Sequence, residues 1–321
     1  MADNNVNPQQ VPVEYVQQQV PVETMQQVQS ETVQAAKPKK KIRVGFIFLS
    51  LVPVYAILCI QTITQVPFLF LAMVDIDRTS GPKNATDMKQ VFDLFNQKYA
   101  FWAYFLYAIV GVVAFGLWYY FGFTRRGTKV SFKEIFGYKS IMAVIGMVIG
   151  LQLLITAGFV LATELCPKVI EDYMQLMTDS GLVDNTLIII VYGILIGPVL
   201  EELCMRGVTF GFLEKSNIKP VFIILITGIL FGIMHLNLVQ GVYASVLGFF
   251  LGYMRYKYRS IKITIMMHIL FNFTGTYGEM LMAKLNLSDG ANLILGGISL
   301  FVLLFAVLLV NGDPKAYKQT A

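Results

Sequence analysis

Two adjacent carboxylates lie inside one of the most apolar stretches of the sequence. Glu201 and Glu202 follow the run TLIIIVYGILIGPVL, and Arg206 comes one helical turn later. Side chains four residues apart share a helical face, so Glu202 and Arg206 are predicted to form an ion pair. Glu201 lies about 100° around the helix from Glu202 and is free to face another group. The alternative is that the three charged residues only anchor the end of a helix.

Both histidines of the chain lie in apolar stretches as well. His235 follows Phe231 by four residues and His268 precedes Asn272 by four, so each pair shares a helical face. A carboxylate and a neutral imidazole can hold a water molecule, and the carboxylate takes its proton as the water attacks a carbonyl carbon. A second imidazole and an amide N–H can stabilise the oxyanion that develops. These side chains suffice for a hydrolase without a covalent intermediate.

The same residue types also allow a metal site. Glu201, His235 and His268 could ligate Zn²⁺, with a water molecule in the open position. The HExxH pattern is absent from the sequence, and the three ligands would come from separate helices. Spacing alone does not decide between the metal-free hydrolase and the zinc enzyme.

The composition places these residues in a membrane protein. Of the 321 residues, 56% are hydrophobic and 14% are charged, whereas roughly a quarter are charged in soluble domains. Stretches of about 20 apolar residues, long enough to cross the hydrocarbon core, recur along the chain. We therefore predict an all-α fold, a polytopic membrane bundle of about eight transmembrane helices. The predicted spans are residues 44–74, 99–123, 140–163, 186–208, 220–238, 241–254, 262–279 and 291–311.

The charged residues of the connections indicate the orientation. Lysine and arginine concentrate in residues 125–139, 215–219 and 255–262, whereas residues 164–185 are mainly acidic. By the positive-inside rule, both termini are predicted to be cytoplasmic. The net charge of +5 is carried mostly by clusters beside the apolar spans, so we expect no nucleic-acid partner.

The chain divides into three regions. Residues 1–43 contain QQVPVE twice and end in a basic cluster, which predicts a disordered cytoplasmic tail that meets anionic lipid. Residues 44–312 are predicted to form the transmembrane domain, in which Pro53 and Pro67 are expected to interrupt the overlong first span. Residues 313–321 are predicted to be a short cytoplasmic tail.

Three motifs, in order, resemble those of a known family. EELCMR, FGIMH and HILFN are similar to the EExxxR, FxxxH and HxxxN motifs of the CPBP family. This is the CAAX-protease and bacteriocin-processing group of intramembrane endopeptidases, which includes the type II CAAX prenyl protease. The resemblance covers roughly residues 140–280, the expected protease core. It implies peptide-bond hydrolysis near the membrane by a glutamate-activated water, with no cofactor expected and zinc as the alternative.

The resemblance also implies roles for individual residues. Glu201 resembles the glutamate that activates water, and His235 resembles its partner. His268 and Asn272 resemble the pair that stabilises the oxyanion. The remaining motif positions, in a supporting role, are Glu202, Arg206 and Phe231.

The predicted topology contains a mismatch in depth. Glu201 lies near the inner end of its span and His235 near the outer end of the next, which separates them by about 10 Å along the membrane normal. We therefore expect residues 236–241 to dip into the membrane as irregular backbone that lines a cavity.

Two functions other than proteolysis remain open. A secondary transporter or proton relay also uses ionisable groups inside the membrane, but such transporters usually carry internal repeats, and the membrane part shows no convincing one. A non-catalytic bacteriocin-immunity protein would keep the fold without the chemistry. Every motif residue is present, which favours the enzyme.

The partners and location follow from the resemblance. We expect contact with membrane lipid and a peptide or protein substrate that is lipidated or embedded in the membrane. The modest chain length and the short segment between His235 and His268 are more similar to the bacterial branch of the family. The plasma membrane of a bacterium is therefore expected rather than the endoplasmic reticulum.

Overall fold

Long apolar helices dominate the chain, as the hydropathy pattern predicts. The computed structural model describes residues 41–80, 87–125, 130–179, 187–278 and 284–316. Over these residues the chain forms helices and no β-strand, which confirms the all-α fold. Residues 1–40 of the predicted N-terminal tail and residues 317–321 of the predicted C-terminal tail lie outside the described residues.

We number the described helices in chain order. They are α1 (Val44–Leu49), α2 (Val52–Ser80), α3 (Met88–Thr124), α4 (Phe132–Ile135), α5 (Tyr138–Leu165), α6 (Pro167–Asp179), α7 (188–215), α8 (Pro220–Ile233), α9 (Leu238–Tyr258), α10 (261–278) and α11 (Asp289–Asn311). Three of these helices include π-helical segments, which are Phe95–Tyr99 and Tyr120–Thr124 in α3, Ile188–Ile196 and Leu203–Thr209 in α7, and Thr274–Gly278 in α10.

Four of the described helical stretches are long and apolar enough to cross a membrane. They are α1 with α2 (Val44–Thr79), α3, α5 and α11. The other four predicted spans coincide with α7, α8, α9 and α10, of which α8 is apolar but only 14 residues long. The polytopic membrane bundle is thereby confirmed, whereas eight crossings and cytoplasmic termini stay predictions.

The first span is interrupted near one of its two prolines only. α1 ends at Leu49 and α2 begins at Val52, so Pro53 lies in the first turn of a helix, where its missing N–H leaves no bond unmade. Pro67 lies inside α2, which continues to Ser80. The break predicted at Pro67 is wrong, because neighbouring helices in a membrane can satisfy the backbone groups that a proline frees.

A closely packed hairpin of α8 and α9 forms one side of the bundle. A Cβ atom on Gly232 would collide with the Ser245 hydroxyl and the Gly241 carbonyl, and one on Gly248 would lie 2.8 Å from the Cα atom of Gly228. Such small residues let helices approach closely in lipid, where the hydrophobic effect does not drive them together. The close approach brings the backbone of α9 within reach of α7.

α7 lies in the middle of the bundle. It contacts α2, α3, α8, α9 and α10, and its Leu200, Cys204 and Val208 belong to the largest buried apolar cluster of the described residues. α5 packs along α11 and also contacts α10, and its buried residues belong to the same cluster. The charged motif of α7 is thus surrounded by other helices.

The end of α11 is docked onto the bundle. Asp313 is buried and accepts a hydrogen bond from the Tyr258 hydroxyl at 2.9 Å. The Nζ atom of Lys315 donates to the carbonyls of Lys133 and Phe136, both at 2.6 Å. Residues 313–316, which the sequence assigns to a tail, therefore belong to the packed structure.

Candidate active site

α7 changes its helical register around the three charged motif residues. The α-helical turn Gly197–Glu202 lies between two π-helical segments, Ile188–Ile196 and Leu203–Thr209. A π turn holds one residue more than an α turn and is frequent at functional sites. Glu201 and Glu202 end the α-helical turn, and Arg206 lies in the second π segment.

Glu202 and Arg206 form a buried ion pair, as the spacing predicts. Arg206 Nη1 donates to Glu202 Oε1 at 2.9 Å, and neither side chain has exposed surface. Arg206 Nη2 donates to the Gly248 carbonyl at 2.9 Å, and the guanidinium carbon lies 4.6 Å from the centre of the Phe231 ring. A buried ion pair needs such additional hydrogen bonds to offset the loss of hydration. Arg206 thereby joins α7, α8 and α9.

A second arginine holds the backbone of this segment. Arg255 Nε donates to the Arg206 carbonyl at 3.0 Å, and Arg255 Nη2 lies 3.5 Å from Glu214 Oε2. The side chain of Arg255 is almost completely buried. From the sequence, Arg255 is only one of the basic residues that indicate topology. No motif or spacing identifies it as part of the site.

His268 contacts both carboxylates of the motif. Its Nδ1 atom lies 3.1 Å from Glu202 Oε1, and its Nε2 atom lies 3.7 Å from Glu201 Oε2. A carboxylate only accepts hydrogen bonds, so Nδ1 carries the proton that faces Glu202. The Glu201 side chain is 20% exposed, whereas that of Glu202 is fully buried. Glu201 is therefore the carboxylate that can meet water and a substrate.

Phe231 packs against both imidazoles. Its ring centre lies 5.0 Å from that of His235 and 5.5 Å from that of His268, and both contacts are nearly perpendicular. His235 Nδ1 lies 2.8 Å from the Phe231 carbonyl, which only accepts, so Nδ1 donates. In the neutral imidazole the Nε2 atom then keeps its lone pair and can accept a proton.

The backbone around His235 is irregular over a shorter stretch than predicted. Leu236 adopts a left-handed conformation with φ of 55°. The side chain of Asn237 accepts a hydrogen bond at 3.0 Å from the first turn of α9, and this cap allows the helix to begin at once. The irregular segment is therefore 234–237 rather than 236–241.

Asn272 lies one turn after His268 in α10, as predicted. Its Nδ2 atom donates to the Gly193 carbonyl at 2.7 Å, which attaches α10 to the first π segment of α7. The carboxamide has two N–H groups, so the second can reach another acceptor. Nothing in the sequence marks Gly193 as the partner, because a backbone acceptor requires no particular side chain.

The geometry gives no support to the zinc alternative. Glu201 Oε2 and His268 Nε2 lie 3.7 Å apart. Within the described part of the chain, no group of three or more His, Cys, Asp or Glu side chains is placed to hold a metal ion. The described geometry therefore does not bring Glu201, His235 and His268 together as a three-ligand site.

Part of the chain matches a protein family. Residues 183–274 match the family model described as type II CAAX prenyl endopeptidase Rce1-like. They include the three motifs EELCMR, FGIMH and HILFN. Over these residues the chain is similar to the Rce1-like endopeptidases. The resemblance to the CPBP family is thereby confirmed over α7 to α10, and α1–α6 and α11 lie outside the matched residues.

A curated relative matches a similar length of chain. "Putative membrane peptidase YdiL" from Bacillus subtilis (strain 168) is 31% identical over 86 residues, which are 26% of this chain and 34% of the relative. The match thus spans about a third of the length of that relative. No solved structure matches the chain.

Proposed function

We propose that this protein is an intramembrane endopeptidase that hydrolyses a peptide bond near the membrane with water activated by Glu201. The position of His268 between a partly exposed Glu201 and a buried Glu202 carries the proposal. A partly exposed carboxylate beside a fixed charge network is suited to general-base chemistry. The match to the Rce1-like family and the membrane-peptidase relative support the same reaction class.

Glu201 and His235 activate the water in this proposal. Glu201 accepts a proton from the water as its oxygen attacks the carbonyl carbon of the scissile bond. His235, whose Nδ1 atom faces the Phe231 carbonyl, holds the water through the lone pair of Nε2. The proton taken by Glu201 then passes to the leaving nitrogen, so the reaction consumes one water molecule and releases an amine and a carboxylate.

His268 and Asn272 stabilise the oxyanion. His268 is held by its Nδ1 contact with Glu202, and its Nε2 edge lies beside Glu201, where the reacting atoms meet. The second N–H of Asn272 is the other donor, and such donors strengthen their bonds as negative charge develops.

The proposal also covers the cofactor requirement, the substrate and the location of the protein. It requires no cofactor, since the four side chains supply the base and the donors. The substrate is a peptide or protein that is lipidated or embedded in the membrane, and lipid surrounds the apolar helices. We assign the protein to the plasma membrane of a bacterium, in keeping with the bacterial relative.

A comparison of membrane peptides tests the proposed function. Membranes from cells that produce the wild-type protein are compared with those from cells that produce Glu201→Ala in equal amount. We expect at least one peptide to be cleaved at a defined bond with the wild type only. Identical peptide patterns in a host that contains the natural substrate would favour the immunity protein or the transporter instead.

Asn272→Ala is expected to lower kcat by about 10²–10³-fold, as is typical for the loss of one oxyanion donor. KM should change little, because the hydrogen bond strengthens only as charge develops. Asn272→Asp should be slower still, since it places a negative charge beside the oxyanion. Steady-state kinetics on one cleavable peptide measure these effects.

Asn311→Ala is the control for the Asn272 variants. Its carboxamide accepts a hydrogen bond from the Tyr253 hydroxyl at 3.1 Å and also joins two helices, but it lies outside the motifs. We expect its kcat to equal that of the wild type. A rise in KM without a fall in kcat for Asn272→Ala, or full activity of Asn272→Asp, would show that Asn272 holds substrate or only packs.

Removal of zinc is expected to leave activity unchanged. Glu201, His235 and His268 are not placed as a three-ligand site, so the reaction should not depend on a metal. Purified protein is treated with a chelator, its zinc content is measured by elemental analysis, and cleavage of one peptide is followed before and after. Stoichiometric zinc, with activity lost on removal and restored on addition, would contradict the glutamate mechanism.

A further inference from the structure

Gln152 is a polar side chain in a long apolar part of α5. Residues 141–155 read IMAVIGMVIGLQLLI, in which the glutamine is the sole residue with a polar side chain. In a membrane helix a carboxamide is retained where it can hydrogen-bond to another helix. None of the motifs EExxxR, FxxxH and HxxxN includes this position.

The carboxamide of Gln152 binds the backbone of α10 next to Asn272. Gln152 Nε2 donates to the Phe271 carbonyl at 2.7 Å and lies 3.2 Å from the Thr274 hydroxyl oxygen. The same hydroxyl donates to the carbonyls of Leu270 and Phe271, at 2.8 and 3.0 Å. Gln152 therefore contacts the residue before Asn272 and the residue that begins the π segment after it.

The turn that carries Asn272 is held from both sides. The Asn272 side chain is bound to the Gly193 carbonyl of α7, and Gln152 of α5 is bound to the Phe271 carbonyl before Asn272 and to the Thr274 hydroxyl after it. A Cβ atom on Gly275 would lie 3.3 Å from Gln152 Nε2. The absence of a side chain at Gly275 therefore provides space for the carboxamide. The junction between α-helical and π-helical register is thus fixed at this turn by a side chain from another helix.

We infer that Gln152 is a positioning residue, which orients Asn272 towards the oxyanion by fixing the end of α10. The inference rests on the proposed function, in which Asn272 donates to the reacting group. Gln152 itself touches no reacting atom. Its removal should let the turn with Asn272 move, and a misplacement of about 1 Å in a catalytic group can cost on the order of 10²-fold in rate.

Gln152→Met tests this inference, because methionine has a similar length and no N–H donor. We expect kcat to fall by about 10- to 10²-fold with KM nearly unchanged. Combining it with Asn272→Ala should lower kcat no further than Asn272→Ala alone, since residues that act as one unit are not additive. Hydrogen exchange of residues 271–276 should be faster than in the wild type, and this measurement does not depend on activity.

Two further variants complete the experiment. Thr163→Val removes a hydroxyl from the same helix, α5. In the described contacts this hydroxyl donates only to the Phe159 carbonyl of α5 itself, so the variant should change neither kcat nor hydrogen exchange. Gly275→Ala places a methyl group 3.3 Å from Gln152 Nε2, so the carboxamide must shift slightly against α10, and kcat should fall in the same direction. It gives a second measurement if Gln152→Met does not fold.

The outcomes separate this inference from the proposed function. Normal kcat or unchanged exchange in Gln152→Met, where Asn272→Ala is slow, would overturn the positioning role and leave the proposed function intact. Effects that multiply in the double variant would also overturn it, because Gln152 would then act independently of Asn272. Full activity of Asn272→Ala would overturn the oxyanion assignment and, with it, the inference about Gln152.

Discussion

Glu201→Gln is expected to abolish peptide hydrolysis in a protein that remains folded. Glutamine keeps the shape of the side chain, but its amide cannot accept a proton from water at neutral pH. A positioned general base contributes typically 10²–10⁴-fold, so turnover should fall by at least about 10²-fold. The Glu201 side chain is partly exposed, and Arg206 keeps its partner Glu202, so the variant leaves no buried charge unpaired.

Cleavage of one peptide and thermal unfolding in detergent measure the effect of Glu201→Gln together. Glu171→Gln is the control, because it removes the same charge from an exposed position on α6. We expect that control to leave both activity and the unfolding midpoint unchanged. Retained activity in Glu201→Gln, or loss of its folded structure, would contradict the role of Glu201 as the base.

Arg206→Met is expected to destabilise the protein by about 3–5 kcal/mol, the usual effect of removing one partner of a buried ion pair. The Glu202 carboxylate would remain fully buried, and it would lose the guanidinium that lies 2.9 Å away in the wild type. The variant also loses the hydrogen bond to the Gly248 carbonyl, which joins α7 to α9. Glu202→Gln should lower stability for the converse reason, since the guanidinium would lose its carboxylate.

An exposed ion pair with the same spacing provides the control. Lys168 and Asp172 also lie four residues apart, at 2.7 Å, with side chains that are 78% and 65% exposed. Exposed pairs contribute little to stability, so Lys168→Met should leave the unfolding midpoint unchanged. The double variant Glu202→Gln, Arg206→Met should recover part of the stability, because no charge is then left unpaired. Equal unfolding midpoints for Arg206→Met and Lys168→Met would show that the buried pair adds nothing.

The sequence predicts those parts of the site that a single helix determines. The spacing of Glu202 and Arg206 places them on one face, and the structure forms this ion pair. The contact of His268 with both carboxylates was not predicted, because it depends on how α10 packs against α7. Gln152 and Arg255 act through backbone carbonyls of other helices, and the spacing of residues within one segment cannot reveal such partners.

Hydropathy predicts the helices of the bundle but not their local details. Each predicted span coincides with a described helix, since the length and apolarity of a segment are properties of that segment alone. The continuous helix through Pro67 and the docked residues 313–316 depend instead on contacts between distant segments. Asp313, for example, is polar in the sequence and is buried because Tyr258 and Lys315 donate hydrogen bonds to it.

The alternation of α and π turns in α7 has a consequence for how relatives of this protein can diverge. Deleting one codon within Ile188–Ile196 can convert its wider register to an ordinary α-helix without breaking the helix. Because a π turn holds one residue more than an α turn, the deletion removes that extra residue, and the residues before it keep their orientation relative to Glu201. Gly193, whose carbonyl receives the hydrogen bond from Asn272, belongs to that segment. A single deletion in this π segment can thus leave the two halves of the site facing each other, whereas a deletion in the α-helical turn Gly197–Glu202 would rotate one half relative to the other by about 100°.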